Sequence, residues 1–239
     1  MDETNKKVVD LLWTGGWDST FRLLQLLFNE KRSVQAHYIM RSEQCSGIEI
    51  DTMANIRRFL HRNHPESRTL LKPMVIEDVY SIKSNQKINA TYEKVSKEKK
   101  VNKQYEILAR YCEQKNISGV ELSVIAIEKD IIDSDLFEPF SFPLLNVTKK
   151  DMLLKAKEKG WMEIMEMTSF CRKPKKGRPC GLCGPCTDVI ESGLGFRLPL
   201  RSRAVGYLQL PFRRWWRNNY HKQSNRQFQW VKEMLKGRY

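Results

Sequence analysis

Two places in this chain hold residue types that do chemistry: a stretch crowded with thiols, and a glycine turn that interrupts the first apolar run. Cys171, Cys180, Cys183 and Cys186 fall in "CRKPKKGRPCGLCGPC", spaced Cys-x8-Cys-x2-Cys-x2-Cys. Four soft ligands in one loop suit tetrahedral zinc, with Zn–S bonds of roughly 2.3 Å. Protein would fill all four positions, which makes the zinc structural rather than catalytic. An iron–sulfur cluster is the rival occupant of the same ligands. Gly181, Gly184 and Pro185 permit the tight turns of such a knuckle, and Lys173, Lys175, Lys176 and Arg178 offset the charge of a tetrathiolate. Cys45 and Cys112 stand apart and read as buried thiols.

The second place is "LLWTGGWDST", residues 11–20. A strand, a glycine turn and a helix in succession bring bare N–H groups and a positive helix end to the carboxyl edge of a sheet, a ready anion site. Gly15 and Gly16 allow the backbone to approach an anion and to adopt positive φ. Thr14, Ser19 and Thr20 add hydroxyl donors, and Asp18 can hold Mg2+ on a bound pyrophosphate. The bland alternative makes Asp18 an ordinary helix cap. The turn lacks the lysine of a Walker-type phosphate loop, so it is not that motif.

The elements that must position these groups follow from apolar periodicity. Residues 8–13 read as a buried parallel strand, and a helix follows from about Asp18, with Phe21, Leu24, Leu27 and Phe28 on one face. Residues 34–40 form a second strand, and Ile50, Met53, Ile56 and Leu60 mark a second helix. A third strand is expected at 70–76, with Pro73 suggesting an edge or bulge. The lysine-rich segment 81–103 reads as a loop leading to a helix at 104–115. A central strand is expected at 119–127, then a proline-spaced stretch and a helix capped by Thr148 with Asp151, ending at Gly160. Alternating strands and helices imply an α/β fold, a Rossmann-like parallel sheet with helices on both faces.

No run approaches ~18 apolar residues, so no membrane span is expected, and the polar, acidic start does not resemble a secretory leader. A cytoplasmic protein is the expectation, in which crowded thiols bind metal rather than form disulfides. The net charge of +14 is uneven: residues 197–239 hold eleven Lys or Arg against the single acid Glu233. That basicity therefore describes one surface and one partner.

The turn resembles the pyrophosphate loop, Ser-Gly-Gly-x-Asp-Ser, of the PP-loop ATP pyrophosphatase superfamily, with Thr14 at the first serine and Trp17 at the variable position. The cysteine spacing after such a loop is similar to the 7-cyano-7-deazaguanine synthase family of queuosine biosynthesis, as are "PLLNVTKKDMLLKAKEKG", "MTSFC" and "CGLCGPCTDVIESGLGF". The resemblance covers residues 8–30 and about 143–196. It implies a PP-loop ATP-binding α/β domain at 1–165, a four-cysteine zinc motif at 166–196 and a basic aromatic extension at 197–239. It also implies ATP binding by Trp13, Thr14, Gly15, Gly16, Trp17, Asp18, Ser19 and Thr20, with Asp18, Ser19 and Lys149 in catalysis and Mg2+ accompanying ATP. "YIMRSEQCSG" and "AIEKDIIDSDLFEPF" depart from that family's pocket loops.

The implied reaction is adenylation of a carboxylate, 7-carboxy-7-deazaguanine, with release of pyrophosphate and AMP. Ammonia gives the amide, and a second adenylation gives the nitrile. A second reading joins the activated deazaguanine to a protein amine, as in synthase-like proteins of anti-phage operons. A third makes the chain a zinc-knuckle nucleic-acid-binding module, using Arg213, Arg214, Trp215, Trp216, Arg217 and Tyr220. The opposing view of the extension is a helix, with Trp230, Val231, Met234 and Leu235 packing on the body or across a homodimer. His37, His61, His64 and His221 read as structural or solvent-facing, and Lys149 and Arg172 as pocket cations or surface charges.

Overall fold

The computed structural model describes residues 8–41, 43–99, 101–125 and 129–215, with the backbone alone at 43–45 and 129–130. The chain divides into two compact units, Met1–Ser169 and Phe170–Tyr239.

The first unit is built on five strands: β1 (Val9–Leu12), β2 (Val34–Met40), β3 (Val75–Asp78), β4 (Val120–Glu121) and β5 (Phe140–Ser141). All pair in parallel, in the order β3-β2-β1-β4-β5. The chain runs outward from β1 to β3 and then returns to the other side of β1. The strand order therefore reverses between β1 and β4, which is where ligands bind in open α/β sheets.

Helix α1 (Trp17–Leu24) follows β1 and widens into a π turn at Gln25–Asn29. Seven of its eight residues are buried, among them Phe21, Leu23 and Leu24. Helices α2 (Glu43–Asn63) and α3 (Ser67–Leu70) precede β3, and α4 (Gln86–Glu98) and α5 (Gln104–Lys115) precede β4. Helix α6 (Lys129–Ile132) joins β4 to β5, and α7 (Lys149–Glu158) and α8 (Met162–Glu166) close the unit. Phe21 meets Trp161 edge-on at 6.0 Å between centroids, tying α1 to the α7–α8 connection. Leu12, Ile39 and Val120 of the sheet join Ala109, Tyr111 and Cys112 of α5 in one buried cluster.

Four sequence expectations need correction. The third strand lies at 75–78 rather than 70–76, because Arg57 takes the carbonyls of Leu71 and Lys72 at 3.1 and 2.6 Å and Pro73 has no N–H to give. The stretch 81–103 is not a loop: α4 occupies 86–98, its Asn85 side chain accepting from the Ile88 amide at 3.1 Å. Ile88 and Tyr92, one turn apart, pack on the α5 cluster beneath a lysine-rich outer face. The strand expected at 119–127 pairs only at 120–121, since the Val124 amide bonds back to Leu122 at 2.9 Å and bends the chain out of the ladder; residues 126–127 lie outside the described ones. The proline-spaced stretch holds β5, with Pro139 and Pro143 just beyond its two residues.

The cap expected on α7 is present in full: the Thr148 hydroxyl accepts from the Asp151 amide at 3.1 Å, and the Asp151 carboxylate accepts from the Thr148 amide at 3.0 Å.

The second unit contains the four cysteines, α9 (Gly184–Glu191), a 3-10 turn at Gly195–Arg197, and α10, helical over 200–215. Among the described residues no helix is long and apolar enough to cross a membrane.

Candidate functional site

The glycine turn sits where β1 ends, at the point of strand-order reversal. Gly15 has φ +69°, and a Cβ there would lie 3.0 Å from Met53 Cγ and 3.1 Å from Thr52 Cγ2 on α2. Only glycine fits both the conformation and the space. Gly16 has ordinary extended geometry as the N-cap of α1, φ −79° and ψ 169°, and a Cβ on it would press on the Thr14 hydroxyl at 3.4 Å. The Gly15 carbonyl accepts from the Ser169 amide at 3.1 Å, which fixes the outer side of the turn.

Above the turn opens a cavity of about 220 Å3, with a mouth open to solvent. Thr14, Gly16, Trp17, Asp18 and Ser19 line one side. The hydroxyls of Thr14 and Ser19 lie 3.4 Å apart, and Ser19 reaches the Gly16 carbonyl only at 3.5 Å. Bonds that long leave both hydroxyls able to turn toward a ligand. The facing wall is apolar, formed by Leu108 of α5 and by Leu122 and Val124 after β4, with Ser123 between them. The Ser123 hydroxyl is buried and, among the described residues, has no hydrogen-bond partner.

The rim is polar. Arg41, just past β2, donates to Gln104 of α5 at 3.0 Å. Tyr38 donates to the Glu49 carboxylate at 2.6 Å. Burial and that carboxylate hold the Tyr38 phenol well above its ordinary range, so it stays a donor.

Not every residue of the turn reaches the cavity. Trp13 and Thr20 are fully buried and bonded to each other, indole N–H to hydroxyl at 3.0 Å. Together with Gly15 they shape the turn from behind. Lys149 opens α7 and does not line the cavity, and Arg172 is an exposed residue of the second unit.

His37 does reach it, but both ring nitrogens are engaged: Nε2 with Asp10 at 2.8 Å and Nδ1 with the Tyr111 hydroxyl at 2.7 Å. It is a structural bridge and not a free base. His61 is held below its ordinary pKa by burial and by Arg57 and Arg68, and His64 lies tilted against Phe28 with ring centroids 4.6 Å apart. His221 lies outside the described residues.

Sequence reasoning missed the clamp beneath the cavity. Arg22 of α1 makes a two-pronged pair with Glu121 of β4 and also binds Glu30. Burial opposes the charge on Arg22, and the two carboxylates more than offset it, so its pKa is raised. An arginine set between Phe21 and Leu23–Leu24 in the second turn of α1 was the available signal.

In the second unit the four cysteine Sγ atoms lie within 4.8 Å of one another. Their Sγ atoms are 3.4 Å apart for Cys183–Cys186, 3.8 Å for Cys171–Cys183 and 3.9 Å for Cys180–Cys186. Tetrahedral zinc with four thiolates requires S···S separations of about 3.8 Å, so the donor set fits such an ion.

Amides point at the sulfurs as they would at thiolates: Cys180 N to Cys171 Sγ at 3.3 Å, and Leu182 N and Cys183 N to Cys180 Sγ at 3.4 Å. Burial works against the Cys180 thiolate, but the Leu182 and Cys183 amides, together with hydrogen bonds from the Cys171 and Cys183 side chains, outweigh it and bring the thiol down to about 7. Cys112 is different: buried in the first unit, it is pushed up to about 12 and stays an inert thiol. The side chain of Cys45 lies outside the described residues.

Gly181 carries the knuckle's turn at φ +76°, and a Cβ there would overlap the Ser202 carbonyl of α10 at 2.1 Å. Gly206, one turn further along α10, meets the Gly181 carbonyl, from which a Cβ would lie 2.9 Å away. The start of the basic extension thus packs on the cysteine loop, and Arg213 and Arg214 bind Thr187 and Glu191 of α9 at 3.1 and 2.9 Å. Trp216, Arg217, Tyr220, Trp230, Val231, Met234 and Leu235 lie outside the described residues.

No protein-family model matches the chain, and comparison with curated proteins returns no match.

Proposed function

We propose that the first unit is an ATP-dependent carboxylate-activating enzyme of the PP-loop type, with a zinc-stabilised second unit. The observation that carries this reading is the turn at Thr14–Ser19. It lies at the switch point, it requires glycine at 15, and its Thr14 and Ser19 line the cavity above it.

The substrate carboxylate, 7-carboxy-7-deazaguanine in the reading the sequence favours, attacks the α-phosphorus of ATP and expels pyrophosphate. The α1 amides with Thr14 and Ser19 stabilise the charge that develops on that leaving group. Asp18, in the first turn of α1 and lining the cavity, is the residue that would hold Mg2+. The metal would neutralise phosphate charge. Ammonia then attacks the acyl-adenylate and displaces AMP, giving an amide. Activation of the amide oxygen by a second ATP, with loss of the two amide protons and AMP, gives the nitrile. Lys149 has no place in this scheme.

The test supplies ATP, ammonia and the carboxy-deazaguanine and follows pyrophosphate, AMP and the product mass. Turnover that falls by about 10²-fold in Ser19→Ala, the loss expected for one donor to developing charge, supports the reading. Pyrophosphate release only when a protein acceptor is added would move the assignment to conjugation. Failure to bind ATP or release pyrophosphate with any carboxylate would overturn it.

A further inference from the structure

The cations between the first two cysteines were read from sequence as charge compensation for the thiolates. Their geometry suggests more. Lys175 and Arg178 exchange both backbone bonds, at 2.9 and 3.0 Å, across a two-residue turn. The turn residues, Lys176 and Gly177, have φ +49° and +72°. That turn fits the twist of a hairpin and ordinarily places Asn, Asp or Gly at its first position. A lysine there is conformationally unfavourable. Lys175 and Arg178 also stand directly opposite each other, an arrangement of like charges that weakens a strand pair. Two local choices work against the stability of the hairpin, and both add positive charge at its tip.

The tip is stiff and bare. Pro174 and Pro179 bracket it, and its ends are tied by Cys171 and Cys180, the amide of one meeting the sulfur of the other at 3.3 Å. Arg172, Lys173, Lys175, Lys176 and Arg178 are all exposed, and among the described residues none has a side-chain hydrogen bond or ion pair. A zinc tetrathiolate carries about two net negative charges, fewer than the five cations nearby.

We propose that this metal-anchored hairpin grips the phosphate backbone of single-stranded nucleic acid. Phosphates on a polymer match several exposed Lys and Arg gathered on one short hairpin. The same unit exposes Phe212 and Trp215, at 63 % and 58 %, stacked with centroids 6.1 Å apart on α10. Aromatic side chains beside a cationic surface are the combination that binds single strands, through bases and phosphates together. This places the polyanion surface on the hairpin, whereas Arg213 and Arg214 of the extension are engaged with α9. It is independent of the adenylation reading.

The experiment uses the intact, zinc-loaded chain and fluorescently labelled oligo-dT and oligo-U of about 20 nucleotides, followed by anisotropy across a salt series. Charge reversal in K175E/K176E/R178E is expected to weaken binding at least tenfold and to flatten the slope of log K against log salt by about 2. K176G keeps the turn and removes one charge, so it is expected to bind more weakly while melting at the same or a higher temperature. Zinc content should be unchanged in both. The proposal fails if the triple variant binds like the parent. It fails if K176G loses zinc or melts lower, because the cations then serve the metal centre. Polyglutamate competing as well as the oligonucleotides would assign the hairpin to an acidic protein and overturn it equally.

Discussion

Arg22 of α1 and Glu121 of β4 are joined by two parallel hydrogen bonds, 2.7 Å from Nε and 2.8 Å from Nη2, across the point where the strand order reverses. The pair locks the helix that carries the glycine turn to the strand that leads into the opposite wall. Both side chains are nearly buried, at 11 % and 12 % exposure. Replacing Arg22 by Met leaves Glu121 without its partner, and the expected cost is about 3–5 kcal/mol in urea unfolding. A loss below about 1 kcal/mol would show that the clamp is dispensable.

Gly15 and Gly16 differ in what they require. Gly15→Ala meets both a positive φ and the Met53 side chain, so a loss of about 1–3 kcal/mol is expected by thermal or urea unfolding. Gly16→Ala keeps an allowed conformation and should cost less than about 1 kcal/mol. Its effect belongs in nucleotide binding, through the Thr14 hydroxyl it crowds, and isothermal titration with ATP separates the two.

The cysteines should divide into two chemical classes. With metal bound, Cys171, Cys180, Cys183 and Cys186 are expected to resist alkylation and to react after chelation, with one zinc released per chain by elemental analysis. Cys112, its thiol pushed up to about 12 by burial, is expected to stay unreactive in both states until the first unit unfolds. Cys183→Ser should lower the melting temperature sharply, because zinc binding energy is folding energy in such loops. Four thiols that alkylate equally with and without chelator would rule out the metal.

The cap on α7 gives a pH dependence of known sign. Bonds from the Thr148 hydroxyl and amide hold the Asp151 carboxyl below its ordinary 3.8. A depressed carboxyl contributes stability that is present above 3.8 and is lost as pH falls through its folded value. Asp151→Asn should therefore unfold more readily than the parent at pH 7, and the difference should shrink toward pH 3. A gap independent of pH would assign the effect to shape rather than charge. Thr148→Ala should cost about 1 kcal/mol across the range.

Much of the scaffold was legible because the strands that pair fully are apolar runs ended by glycine or charge. β1, β2, α5 and α7 fall where periodicity and caps put them. Helix α4 was hidden because two apolar residues one turn apart, Ile88 and Tyr92, are outnumbered by lysines. β5 was hidden because two residues between prolines carry no period at all. The glycine turn and the four cysteines were readable from type and spacing. The Arg22–Glu121 clamp, the Arg41–Gln104 rim and the buried Ser123 hydroxyl were not, since each depends on residues brought together from distant parts of the chain.

The ladder itself is lopsided. β1 pairs with β2, and β2 with β3, over four residues each, whereas β4 meets β1 at one position and β5 at two. The backbone on the β4–β5 flank should therefore open first, and its amides should exchange with deuterium faster than those of β1 and β2. A guest entering the hollow above the turn would push against a yielding flank on one side and a fixed floor on the other. Occupancy should register as slowed exchange at Val120–Glu121 and Phe140–Ser141, where the chain has most freedom to lose.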